Sequence, residues 1–349
     1  KDITLEQTVE FPDDLLPEGN IRDMIVGQIV EFSRIGETEY LARIGYAMET
    51  AGGDIVQLLN VIFGNISIKP GVRVEAVDLP DEITAWFKGP RFGRKGLREL
   101  LDAPSRPLLC TALKPMGLSP ADLAEQAYQF ALGGMDMIKD DHGINNQPFS
   151  PFNERVQRCA EAVERANRET GYHAMYMASL GARADQLLER AHFAKQAGAG
   201  AILVMPGLVG MDTMRLLADD DTLALPVMSH PAFQGSYVTC PTTGIGHGVL
   251  FGLFARLAGA DATVYPNYGG RFSFSKEECI QIVTETERPL GNLRQTFPAP
   301  GGGMTMDRVP EMLDVYGREL IFLIGGGLHR IGPDLVQNTR YFRDLVERM

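Results

Sequence analysis

From Arg106 onward, short apolar runs alternate with helical patterns eight times, and this rhythm limits the possible folds more than any other feature. The runs lie at Leu108–Leu113, Met135–Ile138, Ala174–Ala178, Ala201–Met205, Leu225–Ser229, Asp261–Tyr265, Thr296–Ala299 and Leu320–Ile324. Apolar runs of this length read as parallel strands buried on both faces. Helical periodicity between them predicts helices over Ala121–Leu132, Glu154–Thr170, Ala184–Gln196, Thr213–Ala218, Leu250–Ala258, Lys276–Glu287 and Arg308–Tyr316. Pro120 and Pro310 stand near helix starts, and Gly133 and Gly198 follow helix ends, as capping preferences favour. An open doubly wound sheet would carry G-x-G-x-x-G after its first strand, and none is present. The expected class is therefore α/β, with a (β/α)8 TIM barrel, typically ~250 residues, over 106–349.

Residues 1–105 lack this rhythm. Asp23–Phe32 and Tyr40–Met48 read as strands, Asp54–Phe63 as a helix, and Val72–Leu79 alternates like a half-exposed strand. A small α+β, ferredoxin-like domain with antiparallel strands is expected over 1–105. Trp86, Phe87 and Gly89–Gly93 form its connector, followed by a helix at Leu97–Leu101. The net charge of −12 argues against nucleic acid or an anionic membrane as partner, while leaving room for a local basic pocket. Cys110, Cys159, Cys240 and Cys279 lie far apart with no C-x-x-C pair, which suits reduced thiols rather than zinc ligands or disulfides. The apolar stretch Gly248–Ala260 is too short to span a bilayer and contains Arg256. No signal-peptide pattern opens the sequence, so a soluble cytoplasmic protein is expected.

Barrel chemistry gathers at the C-terminal ends of the strands. The second run leads directly into Lys139, Asp140, Asp141 and His142, then Gly143 and the polar segment Asn145–Pro151. Burying a lysine with two carboxylates is costly unless they pair or bind an ion. A salt-bridge network and a reactive site both answer that requirement. The first run ends in Lys114-Pro115-Met116-Gly117, the fifth in His230-Pro231-Ala232, and the sixth leads through Asn267 to Arg271. The last two strands are followed by Gly301, Gly302, Gly303 and by Gly325, Gly326, Gly327, with His329 and Arg330 just beyond. Such glycines serve tight turns, or let backbone N–H groups approach an anion where barrels commonly hold phosphate.

LKPMGLSP, KDDHGINNQPF and the two glycine triplets, in that order, resemble the RuBisCO large-chain superfamily, and in particular its RuBisCO-like, form IV branch. The resemblance spans roughly residues 40–349. It implies that Lys139 is carbamylated by CO2 and holds Mg2+ together with Asp141 and residue 142. His142 stands where the family has Glu, and imidazole suits Zn2+ or Mn2+ better than Mg2+. Lys114 matches the lysine that binds substrate and assists proton transfer, His230 a retained site histidine, and Arg271 the lysine of the mobile loop. Met116 replaces a second lysine, Gln234 a second histidine, and Pro231 the arginine that grips one phosphate. The resemblance also implies that Glu6 and Asn65 enter the site of an adjacent subunit, Glu6 meeting Arg271, in a homodimer or larger assembly.

The resemblance thus implies a Mg2+-dependent enolising enzyme acting on a phosphorylated keto-sugar or keto-acid, as isomerase, enolase or decarboxylase. Met116, Pro231 and Arg271 argue against ribulose bisphosphate carboxylation and for a monophosphate. Three alternatives stay open. One is the 2,3-diketo-5-methylthiopentyl-1-phosphate enolase of methionine salvage, where a lysine base is expected at Asn65. Another is a non-catalytic paralogue that binds a phosphorylated metabolite. The third is a metal-free Schiff-base aldolase using Lys114 or Lys139.

Overall fold

The computed structural model describes residues 1–349, and its central sheet is built from eight parallel strands. In chain order these are β1 (Leu108–Leu113), β2 (Met137–Asp140), β3 (Met175–Leu180), β4 (Ala201–Val204), β5 (Val227–Ser229), β6 (Ala262–Pro266), β7 (Phe297–Gly301) and β8 (Ile321–Leu323). Their spatial order is β7-β6-β5-β4-β3-β2-β1-β8, and β7 closes on β8 where Gly301 faces the Leu323 side chain. The α/β barrel expected from the apolar rhythm is present.

Side chains alternate along each strand, so every second residue fills the barrel interior. Leu108 and Cys110, Met175 and Met177, and Ala201 and Leu203 make such pairs, packed with Met228, Val264, Phe297 and Ile321. Leu97, Leu101 and Ala103 join the same cluster from the segment before β1. Taking these surfaces out of water is the main driving force for closing the barrel. Capping boxes at Ser119–Asp122 and Ser275–Glu278 start the helices Pro120–Leu132 and Lys276–Glu287.

Three barrel elements differ from expectation, one of them the final helix Leu335–Glu347, which was not among those expected. β2 runs on through Lys139 and Asp140, which pair with Ala112 and Leu113 of β1 and are buried. Charge had suggested that the strand stops at Ile138, yet both polar groups find partners. The helix expected at Leu250–Ala258 is a π-helix at Gly248–Phe254 followed by an α-turn at Ala255–Leu257.

By contacts, Lys1–Trp86 and Ser236–Gly246 form one compact unit, and Phe87–Gly235 with His247–Met349 form the other. The helix at Gly93–Leu100, assigned from sequence to the N-terminal part, clusters with the barrel. In the smaller unit Gln28–Arg34 pairs antiparallel with Tyr40–Gly45. The expected strand start at Asp23 lies instead in a π-turn, Ile21–Ile25. Of Val72–Leu79 only Arg73–Val74 is a strand, and it pairs parallel with Gly244–Ile245, a partner too distant in sequence to be read locally. The antiparallel ferredoxin-like expectation therefore reduces to one hairpin plus this short parallel pair. Asp54 caps the helix Ile55–Phe63 by accepting from Gln57 N–H at 2.8 Å. No helix is long and apolar enough to cross a membrane.

Candidate active site

Strand alternation sorts the charged cluster at the end of β2. Lys139 and Asp141 fall on the side of Met137, which faces the barrel interior, while Asp140 falls on the opposite side. Asp140 is fully buried and its carboxylate is occupied. Tyr176 OH donates to Oδ1 at 2.9 Å, while Arg155 Nε and the Ser179 N–H each donate to Oδ2 at 3.1 Å. Arg155 also donates from Nη1 to the Ser150 carbonyl at 2.9 Å, tying the loop after β2 to the strand end. Asp140 is thus a structural anchor.

Lys139 is 2% exposed, and its amine donates to the Asp140 carbonyl at 3.0 Å. Burial drives its pKa below the usual lysine value, against the pull of Cys110 and Asp141, and so favours the neutral amine. Asp141 pairs with Lys114 at 2.9 Å and lies 3.5 Å from His142 Nδ1. Burial alone would raise its carboxyl, but hydrogen bonds from His142 and Lys114 outweigh burial and hold it well below the carboxylate range. Gln126 fixes the base of Lys114 from the neighbouring helix, donating to its carbonyl at 2.6 Å and accepting from its N–H at 3.2 Å.

His142 stacks on His230, with ring centroids 4.3 Å apart and planes 18° from parallel. The Ala232 N–H donates to His230 Nδ1 at 3.2 Å, so the neutral ring carries its proton on Nε2. Burial above all pushes the His230 pKa well below its ordinary value, which favours the neutral ring. Met116 lies over loop two, where a Cβ on Gly143 would stand 2.8 Å from the thioether methyl.

The glycine triplets meet beside this cluster. A Cβ on Gly325 would stand 3.7 Å from Lys114 Cε, and one on Gly327 would stand 2.6 Å from the Met304 carbonyl, next to the first triplet. Gly302 and Gly303 hold φ of +86° and +97°, a region costly for residues with a side chain. Arg271 N–H donates to Gly302 O at 3.0 Å, which brings the loop after β6 against Gly301–Gly303. His329 packs edge-on against Phe130, 5.7 Å between centroids, and its buried Nε2 has no hydrogen-bond partner.

In the smaller unit, Asn65 Nδ2 donates to Glu6 Oε1 at 3.2 Å. Gln7 sets this pair. Its amide donates to the carbonyls of Asn60 and Val61 at 2.8 and 2.9 Å and accepts from Ile66 N–H at 2.8 Å. Lys114, Lys139, Asp141, His142 and His230 therefore come together, the glycines and Arg271 form a second group, and Glu6 meets Asn65. Arg155, Tyr176, Gln126 and Gln7 escaped sequence reading because their signal is buried polarity, which no local pattern marks.

No three His, Cys, Asp or Glu side chains cluster as a ready-made metal site. Asp141 Oδ1 and His142 Nδ1 nevertheless offer two donors 3.5 Å apart, and a carbamate on the buried, neutral-leaning Lys139 amine would add oxygen donors. The donor set fits a divalent ion on that condition.

A family model for the ribulose bisphosphate carboxylase large chain, catalytic domain, matches residues 93–333. The chain is 39% identical over 340 residues to ribulose bisphosphate carboxylase-like protein 1 of Rhodopseudomonas palustris, covering 97% of this chain and 90% of that protein. It is 38% identical over 343 residues to the 5-methylthioribulose-1-phosphate isomerase of Rhodospirillum rubrum, covering 98% and 90%. The crystal structure of a Rubisco-like protein from Rhodopseudomonas palustris superposes with a TM-score of 0.89 at 38% identity, covering 99% of this chain and 92% of that one. Similarity of this extent, on the same barrel, establishes that the chain belongs to the RuBisCO large-chain family, among its RuBisCO-like members.

Proposed function

We propose that this protein is a non-carboxylating, enolising enzyme that moves a proton on a phosphorylated keto-sugar or keto-acid. The observation that carries the reading is the buried Lys139 amine beside the Asp141–Lys114 pair, with Gly325 packed against Lys114. Similarity to an enzyme named for isomerising a keto-sugar monophosphate supports it.

Lys139 as a carbamate, Asp141 and His142 would hold a divalent cation, Mg2+ in the family pattern, which supplies positive charge beside a carbonyl oxygen as enolate character develops. The chain's own groups do the rest. The N–H groups around Gly301–Gly303 and Gly325–Gly327, with Arg271, bind a single phosphate. The Nε2–H of His230 donates to a substrate oxygen. Lys114, held at Asp141, carries a proton to or from the carbon next to the carbonyl, with the Lys139 carbamate as the other proton-accepting group. Removing the α-proton and returning it to the neighbouring carbon, while the α-hydroxyl proton passes to the former carbonyl oxygen, isomerises the substrate. Pro231 and Met116 offer no cation to a second phosphate. Asn65, bonded to Glu6, offers no base, which sets this site apart from the salvage-enolase pattern. Glu6 and Asn65 would complete the site of a neighbouring subunit in a homodimer or larger assembly.

The test is proton exchange. In D2O with bicarbonate and Mg2+ or Mn2+, NMR of a panel of keto-sugar and keto-acid monophosphates is expected to show enzyme-dependent loss of an α-proton signal from one member. Phosphate-dependent binding without exchange from any member would replace this reading with a metabolite-binding role. Covalent trapping by borohydride without a metal would replace it with Schiff-base chemistry.

A further inference from the structure

The loop Asn267–Phe272, which carries Arg271, is fastened along its length to the segment after β7. Asn267 N–H donates to Gly301 O at 2.8 Å, and its side-chain amide to Met304 Sδ at 3.2 Å. Arg271 N–H follows with its bond to Gly302 O. Between them Gly270 approaches so closely that a Cβ there would stand 2.4 Å from Gly302 O. The outer side of the loop is held by Arg308, whose side chain is only 16% exposed. Its Nη1 donates to Tyr268 O at 2.7 Å, and its guanidinium carbon lies 4.9 Å from the centre of the Tyr268 ring. Its Nε donates to Glu311 Oε2 at 3.1 Å, and Tyr268 OH donates to Glu311 Oε1 at 2.8 Å. Tyr268, Arg308 and Glu311 therefore close a triangle over the loop.

A single exposed ion pair would contribute little here. A closed network that includes a backbone carbonyl and an aromatic face fixes a loop more firmly, because each bond holds the geometry of the next. We infer that Arg308 is a positioning residue, which holds Arg271 and Gly301–Gly303 together as one preformed anion-receiving edge. This rests on the reading of those residues as the phosphate site. These bonds restrain the loop, so binding would bear less of the entropy of ordering it. Arg308 is engaged with Tyr268 and Glu311, so its removal is expected to act on affinity more than on the chemical step.

The test uses the full-length protein and inorganic phosphate as the probe. Phosphate affinity and amide hydrogen exchange over 267–272 are measured for wild type, Arg308→Met, Arg308→Lys, Glu311→Gln and Arg271→Met. Arg308→Met is expected to speed exchange at the Arg271 amide and to weaken phosphate binding by about tenfold, with KM raised more than kcat is lowered. Arg308→Lys, which can still reach the Tyr268 carbonyl, restores part of both, and Glu311→Gln gives a smaller change in the same direction. Wild-type exchange and phosphate affinity in Arg308→Met, alongside weakened phosphate binding in Arg271→Met, overturn the positioning role and leave the phosphate site standing. Unchanged phosphate affinity in Arg271→Met as well overturns the phosphate site itself.

Discussion

If the proposed cation site forms, His142 would decide which ion suits it. An imidazole in place of a carboxylate removes one negative charge and one hard oxygen donor, which disfavours Mg2+ relative to Mn2+. His142→Glu is therefore expected to tighten Mg2+ binding by about tenfold and narrow the gap between the two ions, as measured by titration calorimetry in bicarbonate buffer. Equal Mg2+ affinity in both proteins would mean that residue 142 is no ligand. At this scale the candidate residues were marked by their place in the sequence. Lys139 and Asp141 stood out because burying charge at a strand end is costly, Lys114, His142 and His230 through the resemblance, and the structure brings all five together. Asp140 looked equally chemical in sequence, but strand alternation turns it away from Lys139 and Asp141 and into the grip of Arg155, Tyr176 and Ser179. Those partners lie 15 to 39 residues away, so no local pattern could have paired them.

β2 and the loop after it behave as one element because Arg155 reaches back from the first turn of its helix to Asp140 and Ser150. Both members of the ion pair are fully buried. Deleting one partner leaves the other charged and unpaired, a loss of ~3–5 kcal/mol in comparable buried pairs. Arg155→Met is expected to lower the denaturant midpoint by that equivalent at unchanged slope, with lost activity following from a displaced Lys139. A stability change below ~1 kcal/mol would show that the pair is dispensable. The strands and most helices of the barrel were readable because hydrophobic period and caps are local signals. The end of β2 was misread because the apolar run stops two residues before the hydrogen-bond ladder does.

The smaller unit was the least legible part of the molecule, since the segment Ser236–Gly246 returns to it from between β5 and β6. The proposed role of Glu6 and Asn65 depends on an assembly in which one copy would serve another copy's barrel. In a two-fold dimer with such shared sites, mixing Glu6→Gln with Lys139→Arg subunits restores one intact site per mixed dimer. Random exchange of inactive variants is then expected to recover about a quarter of wild-type activity. No recovery after verified subunit exchange would place the whole site within one chain.

Carbamylation of Lys139 would be seen by 13C NMR of the protein in 13C-bicarbonate with Mg2+ or Mn2+. CO2 adds only to a neutral amine, and burial lowers the Lys139 pKa from 10.5, so rising pH deprotonates this lysine before any exposed one. A single protein-bound carbamate resonance is expected in wild type, growing as pH rises and absent from Lys139→Arg. A spectrum without that resonance at any pH, or one in which it persists in Lys139→Arg, would contradict the account.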